Sequence, residues 1–107
     1  MATELNWEEI SMGIITYAGM AKTNAVLAIR EAKEKNYTKA EELLKEAHEH
    51  IITAEKMHMD VITAECNGEK IEFKVLFMHS EDQMLTTQSM LVLAEEMIEM
   101  YKIIHNK

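Results

Sequence analysis

Apolar and small residues recur along the chain in steps of three and four, the spacing of one face of an α-helix. Three segments follow this rule, and they are separated at Asn36-Tyr37 and at Asn67-Gly68. The face of the first segment comprises Ile10, Ile14, Tyr17, Ala21, Ala25, Ala28 and Ala32. That of the second comprises Ala40, Leu43, Leu44, Ala47, Ile51, Ala54, Met57, Val61 and Ala64. The pattern predicts helices over about residues 7–35, 38–66 and 75–105.

Capping signals lie at most of these boundaries. Asn6 stands three positions before Glu9, and Thr38 stands three positions before Glu41, as in a capping box. After the second helix, Gly68 favours a stop because glycine readily takes the positive φ of a helix C-terminus.

The start of the third helix has two candidate positions. One lies near Val75, after a stretch in which Ile71 and Phe73 alternate with charged residues and so indicate a short extended lead-in. The other is Ser80, because Ser80 and Gln83 also have capping-box spacing. We expect the earlier start, since helical spacing is already in place before Ser80.

One seam of the third segment changes character along its length. It comprises Leu76, His79, Gln83, Thr86, Met90, Leu93, Met97, Met100 and Ile104. This is the rhythm of a helix that packs against other helices, and the polar positions near its start break the apolar pattern. Polar groups on a packing face cost stability unless they are satisfied or used, so this part of the chain is the first candidate for function.

The third segment is apolar on more than one side. A second stripe comprises Phe77, Met84, Leu91 and Ile98, and part of a third comprises Met78, Leu85 and Val92. The other two helices of one chain cannot easily cover all of these side chains. We therefore expect self-association around this helix, the alternative being a face left partly exposed.

Composition limits the class of protein. With 107 residues, 48% hydrophobic, 6% aromatic and no proline, the chain predicts a single all-helical domain. The balance of 11 basic and 19 acidic residues gives a net charge of −8, which excludes nucleic acid and anionic membrane surfaces as partners. One cysteine, Cys66, excludes an internal disulfide framework. There is no apolar signal segment and no uninterrupted apolar stretch of membrane length, so we expect no membrane insertion and a cytoplasmic protein.

His79 is the leading candidate for chemistry. A neutral imidazole can act as a nucleophile and carry a covalent phosphoryl group. Asp82 and Gln83 follow it at three and four positions, so they project from the same side of a helix. Glu81, two positions on, is expected to point elsewhere. The alternative for His79 is a structural histidine with one satisfied hydrogen bond.

Two candidate metal sites are incomplete in the sequence. Asp82 can bind a cation only if symmetry or another helix brings further oxygen ligands, the alternative being a capping or solvated acid. Glu55 and His58 form one Glu-x-x-His element, which di-iron bundles use twice. No second copy exists, so we do not favour a di-iron site.

The residues around His79, together with the three long helical segments, resemble those of a known protein family. The chain is similar to the lactose/cellobiose-type IIA component of the bacterial phosphoenolpyruvate-dependent sugar phosphotransferase system, the family that includes diacetylchitobiose components. The resemblance spans the three long segments, the turn Glu65-Cys66-Asn67-Gly68-Glu69 and, most specifically, residues 78–86. The family's motif there reads approximately Val-His-Ala-Gln-Asp-His-Leu-Met-Thr, and this chain has Met-His-Ser-Glu-Asp-Gln-Met-Leu-Thr.

The resemblance implies a phosphocarrier. His79 matches the histidine that accepts a phosphoryl group from the phosphocarrier HPr and passes it to a cysteine of the IIB component during disaccharide uptake. We accordingly expect an all-α, antiparallel up-down-up three-helix bundle over residues 1–107 that assembles as a homotrimer. Asp82 matches the aspartate that three subunits bring together on the symmetry axis, where a divalent cation, expected to be Mg²⁺, can neutralise it. Gln83 and Thr86 are candidate supporting donors near His79.

The chain departs from the family pattern at several positions. Gln83 replaces the motif's second histidine, Ser80-Glu81 replaces Ala-Gln, and helix two has Glu55, His58 and Met59 in place of His, Gln and Thr. His79, at the position of the family's phosphorylated histidine, and Asp82, at that of the aspartate on the symmetry axis, are retained. Two other functions remain as alternatives: a histidine phosphotransfer domain of a two-component relay, and a helical adaptor without chemistry.

Overall fold

The chain forms three α-helices in the computed structural model, which describes residues 5–72 and 74–107. They are α1 (Trp7–Lys33), α2 (Tyr37–Cys66) and α3 (Val75–His105), and no strand occurs within those two ranges. The prediction of an all-α protein is confirmed. Against the predicted bounds, α1 ends two residues earlier and α2 begins one residue earlier. Phe73, part of the predicted extended lead-in, lies outside the described residues.

Contacts between α2 and α3 show that these helices run in opposite directions. The Tyr37 hydroxyl, at the start of α2, donates to the backbone carbonyl of Tyr101 near the end of α3 (3.3 Å). His58, near the end of α2, meets Glu81 near the start of α3 (2.6 Å).

Contacts of α1 complete the arrangement. Asn24, in the second half of α1, donates to Glu46 in the first half of α2 (3.3 Å). Trp7 and Phe77, at the starts of α1 and α3, have ring centroids 5.3 Å apart. The helices therefore run up, down and up, in a bundle with principal extents of 61 × 21 × 19 Å.

Small side chains let α1 approach the other two helices closely. Its buried residues are Ser11, Ile14, Ala18, Ala21, Ala25, Ala28 and Ala32, all fully buried. Alanine keeps high helix propensity while filling little space. By length and composition α1 could cross a membrane, and it is the one such helix in the described part of the chain. Its packed alanine stripe accounts for this apolar character.

The face that α3 turns inward differs from the predicted one. Its buried residues are Phe77, Ser80, Met84, Thr87, Leu91, Ala94 and Ile98. Most of the predicted packing seam instead faces solvent, since Leu93, Met100 and Ile104 are 57%, 58% and 56% exposed. Met90 of the same seam is half-buried and packs against the core. The second stripe lies one residue, or about 100°, from the seam, and it is the stripe that meets α1 and α2.

The exposed large hydrophobic side chains of α3 together form what we call the α3 outer face. It comprises Val75, Leu76, Met78, Leu85, Val92, Leu93, Met97, Met100, Ile103 and Ile104. An apolar surface that extends along a whole helix is characteristic of an interaction site rather than of a solvated face.

Capping at the helix starts follows the predictions in part. The Asn6 side chain accepts a hydrogen bond from the backbone N–H of Glu9 (3.0 Å), as predicted. The predicted cap at Thr38 is wrong, because α2 begins at Tyr37 with Asn36 as its N-cap and without a side-chain capping hydrogen bond.

α1 and α2 end in the same backbone hydrogen-bonding pattern. Lys35 and Gly68 each adopt a positive φ, of 67° and 90°. In both turns the next residue's N–H bonds back to a carbonyl five positions earlier, Asn36 to Glu31 (2.8 Å) and Glu69 to Ala64 (3.1 Å). These are Schellman motifs, and the predicted stop at Gly68 is confirmed.

Candidate functional site

His79 lies one turn into α3 and is exposed to solvent. Its ring makes no hydrogen bond or ion pair with any residue of 5–72 or 74–107. The inward face of the same turns is occupied by Phe77 and Ser80, which are 8% and 0% exposed. Helical spacing therefore directs the imidazole outward, where a protein partner can reach it.

Ser80 belongs to the interior of α3 rather than to its start. Its hydroxyl donates to the backbone carbonyl of Phe77 (2.6 Å) and is fully buried. The alternative helix start at Ser80 is therefore wrong, and the start near Val75 is the observed one. Because Ser80 is turned inward, it does not share a surface with His79.

Glu81 is turned toward α2, away from His79. Its Oε2 lies 2.6 Å from Nε2 of His58, and the two side chains are 34% and 17% exposed. The expectation that Glu81 points elsewhere agrees with this contact. The carboxylate is therefore kept from the surface where a phosphoryl group on His79 would carry negative charge.

Gln83 and Thr86 differ in what they can offer to His79. Gln83 is half-buried and follows His79 by one helical turn, on the same side. The Thr86 hydroxyl donates its proton within the helix, to the backbone carbonyl of Asp82 (2.7 Å) and more weakly to that of Gln83 (3.3 Å). A hydroxyl has one proton to donate, so the geometry favours Gln83 over Thr86 as a supporting donor.

Asp82 is exposed and lies within the α3 outer face. Met78 and Leu85, one turn to either side of it, are 44% and 53% exposed. Among the residues that the structure describes, no group of three or more His, Cys, Asp or Glu side chains could hold a metal ion. One chain thus offers a single carboxylate, and a cation site there needs the same residue from further copies.

A cluster around His58 was missed by the sequence reasoning, which considered this residue in a Glu-x-x-His element and as a departure from the family pattern, but not as a partner of α3. The His58 ring stacks on Phe77, with centroids 5.8 Å apart and planes 2° from parallel. Trp7 meets the same Phe77 ring edge-on, at 77°. The signal for this cluster in the sequence is the four-residue spacing of Phe77 and Glu81, which puts both on one side of α3.

A groove of about 310 Å³ lies beside this cluster, between the end of α2 and the start of α3. His58, Ile62, Phe77, Met78 and Glu81 are among the residues that line it, whereas His79 is not. The candidate nucleophile is therefore placed on an open surface rather than in a cavity.

Another histidine pair joins α2 and α3 farther along the bundle. Nε2 of His48 lies 2.6 Å from Oε1 of Glu95, with side chains 43% and 49% exposed. It repeats the chemistry and the distance of the His58–Glu81 pair at a position remote from His79.

Comparison with known proteins decides the family. The model of the lactose/cellobiose-specific IIA subunit of the phosphotransferase system matches residues 9–102. The chain belongs to this family. Its IIA relatives include the lactose-specific EIIA component of Staphylococcus epidermidis, 33% identical over 92% of this chain and 97% of that protein. The oligo-β-mannoside-specific EIIA component of Bacillus subtilis is also 33% identical, over 94% of this chain and 91% of that protein.

A solved structure of the family has the same fold. The cellobiose-specific enzyme IIA from Bacillus anthracis superimposes with a TM-score of 0.92 and 31% identity. The superposition covers 99% of this chain and 97% of that one. The resemblance to this IIA family, inferred from the motif around His79, is thereby confirmed. The chain's general role as a component of a sugar phosphotransferase system is confirmed with it.

Proposed function

We propose that this protein is a phosphocarrier in which His79 accepts a phosphoryl group from HPr and passes it to a cysteine of a IIB component. The observation that carries the proposal is the exposed imidazole at the motif's nucleophile position, free of hydrogen-bond partners among the described residues. Family membership supports the same role. The protein works as a component of a relay, with one covalent intermediate, rather than as a stand-alone enzyme.

The two transfers are balanced displacements. In the first, a ring nitrogen of neutral His79 attacks the phosphorus of phospho-HPr; a P–N bond forms on His79 as the donor's P–N bond breaks. In the second, the cysteine thiolate of IIB attacks that phosphorus, forming a P–S bond and releasing the imidazole. Such transfers depend on in-line positioning and charge neutralisation. Gln83 supplies an amide donor one turn away, and the pairing of Glu81 with His58 keeps a competing carboxylate turned aside.

We further propose that the α3 outer face is the interface of a homotrimer. It extends along nearly the whole of α3, and the partners within one chain leave it exposed. Burying such a face against its own copies removes apolar surface from water without a second protein.

Asp82 fits a cation site within that trimer. An uncompensated acid on an apolar interface is costly, and three like charges on one axis repel each other. A divalent cation such as Mg²⁺, for which carboxylate oxygens are preferred ligands, would neutralise them. Asp82 of each chain would hold it, and its role would be structural.

The setting of the relay follows from its partners. HPr and the phosphorylated part of IIB would be met in the cytoplasm, and the net charge of −8 disfavours nucleic acid as a partner. The names of the IIA relatives cover lactose, oligo-β-mannosides and cellobiose. We propose uptake of a disaccharide of this kind, cellobiose, chitobiose or lactose.

Labelling with phosphoenolpyruvate, Enzyme I and HPr tests the phosphocarrier role. The wild-type chain should acquire acid-labile, base-stable phosphate in the presence of all three components. His79→Asn should lose the label completely, because an amide cannot replace the ring nitrogen. His48→Asn is the matched control, since it removes another α-helical histidine, and it should be labelled as the wild type is.

Two outcomes of this experiment would contradict the proposal. One is the absence of label on the wild-type chain in the complete system. The other is label that persists in His79→Asn, which would place the phosphoryl group on another residue.

A further inference from the structure

The start of α3 is attached to the bundle by few side chains. Within residues 75–79, Phe77 is the one buried residue, and Val75 is 74% exposed. The N-cap, Lys74, makes no side-chain capping hydrogen bond. The described residues between Asn67-Gly68 and Lys74 have no regular structure. An uncapped first turn after such a segment frays unless tertiary contacts hold it.

Within one chain, Phe77 joins the hydrophobic core, and His58 of α2 makes two further contacts with these turns. Its ring stacks on Phe77 in near-parallel planes, while its Nε2 meets the carboxylate of Glu81 at 2.6 Å. Phe77 and Glu81 stand four residues apart, so His58 joins two successive turns of α3 on one side. Trp7 holds the Phe77 ring from α1, with its centroid 5.3 Å away.

His79 lies between the two residues that His58 contacts. A helix turn is stiff, so fixing Phe77 and Glu81 on the side toward α2 also fixes the direction in which His79 projects. Transfer between two proteins needs the accepting nitrogen in line with the phosphorus, and a displacement of about 1 Å can cost on the order of 100-fold in rate. The attachment of these turns therefore bears directly on the chemistry.

We propose that His58 and Glu81 are positioning residues that hold the first two turns of α3, and with them His79, in one place against α2. Neither residue touches the phosphoryl group. The kinetic consequence rests on the proposed function of His79, whereas the attachment itself does not.

The His48–Glu95 pair is a control built into the same chain. It joins the same two helices through the same kinds of atom, at the same 2.6 Å. Glu95 stands 14 residues beyond Glu81, or about 21 Å along α3. The side chains of this pair are more exposed than those of His58 and Glu81, so the two pairs need not contribute equally to stability. What the comparison tests is the place of the effect: only loss of the pair near His79 should alter the start of α3 and the rate of phosphorylation.

Kinetics of phosphorylation by phospho-HPr should show whether the effect is confined to the pair near His79. We expect His58→Ala and Glu81→Ala each to lower kcat about tenfold with KM unchanged. The double variant should be no worse than either single one, since the residues act as one unit. His58→Gln should recover most of the rate, because its amide can still donate to Glu81. His48→Ala should match the wild type.

Hydrogen exchange gives a readout that needs no phosphoryl transfer. Amides of residues 76–80 should exchange at least about tenfold faster in His58→Ala, and at the wild-type rate in His48→Ala. Circular dichroism shows whether each variant keeps its helices.

Equal exchange in the two alanine variants, or equal kcat in them, would overturn the positioning role. Failure of the wild-type chain to accept phosphate would refute the proposed function instead. The exchange comparison would then still decide whether His58 holds the start of α3.

Discussion

Neighbouring residues at the start of α3 have sharply different surroundings. Phe77 and Ser80 are buried, His79 is exposed, and Glu81 is bound to α2. Each step along the helix turns the side chain by about 100°, so adjacent positions serve different purposes. Substitutions one residue apart should therefore differ in kind: those at Ser80 should alter packing, those at His79 the proposed phosphoryl transfer, and those at Glu81 the contact with His58.

Gln83 and Thr86 allow a prediction at this scale. Thr86→Val should leave the rate of phosphorylation within about twofold of the wild type, because its hydroxyl proton is already donated to the Asp82 carbonyl. Gln83→Leu should slow the reaction about tenfold, the effect of losing a hydrogen bond of about 1.5 kcal/mol to a charged group. Rapid-quench measurement of label from phospho-HPr gives both rates. The reverse ranking would return Thr86 to the role of supporting donor.

The turns that end α1 and α2 differ in the residue that adopts a positive φ. α1 and α2 terminate in the same motif, but with different residues at the left-handed position. Gly68 adopts this conformation without a steric penalty, whereas Lys35 has a Cβ atom that makes it unfavourable. The turn after α1 therefore stores strain that the turn after α2 avoids.

Substitutions at these two positions should change stability in opposite directions. Lys35→Gly should raise the free energy of unfolding by about 1 kcal/mol, and Gly68→Ala should lower it by about the same amount. Urea denaturation at one fixed protein concentration measures both, since assembly would otherwise shift the midpoint. A destabilised Lys35→Gly variant would show that the lysine side chain contributes more than its backbone strain costs.

The spacing of apolar residues was enough to predict where the helices lie, but not which face of each helix packs against the others. Spacing of apolar residues located all three elements, because each needs one continuous face for the core. It did not show which stripe of α3 faces the chain's own helices, since both the seam and the Phe77 stripe are apolar. That choice depends on how the small side chains of α1 pack, which the periodicity of α3 does not contain.

The candidate site was predictable to a similar degree. The polar interruption of the apolar seam and its motif singled out His79 and Asp82 as candidates, because these residue types are costly on a packing face; their roles stay predictions. The contact between His58 and Glu81 joins residues 23 positions apart. It arises from the pairing of α2 with α3, so the spacing within α3 puts Phe77 and Glu81 on one side but does not identify His58 as their partner.

At the scale of the whole molecule, the bundle is long, narrow and apolar along one side. Its extents are 61 × 21 × 19 Å, and the α3 outer face follows the long axis. A bundle this thin buries a limited share of its surface. Association of copies along α3 would enlarge the core and place Asp82 of each copy close to the others.

Asp82→Leu tests the proposed trimer and its cation together. Light scattering of the wild type should give three times the chain mass of 12.3 kDa. The variant should keep or strengthen this assembly, because it removes repulsion between like charges. Calorimetric titration with Mg²⁺ should show binding to the wild type and none to the variant. A monomeric wild type at micromolar concentration would contradict the trimer, and a dissociated variant would contradict a purely electrostatic role for the acid.

The position of Trp7 provides an optical probe of the region around the start of α3. Trp7 is the chain's single tryptophan, and its ring lies against the ring of Phe77 in the first turn of α3. Intrinsic fluorescence excited selectively at tryptophan therefore comes from this corner of the molecule alone. Changes in its emission on phosphorylation or on docking of a partner would report local rearrangement without any attached dye.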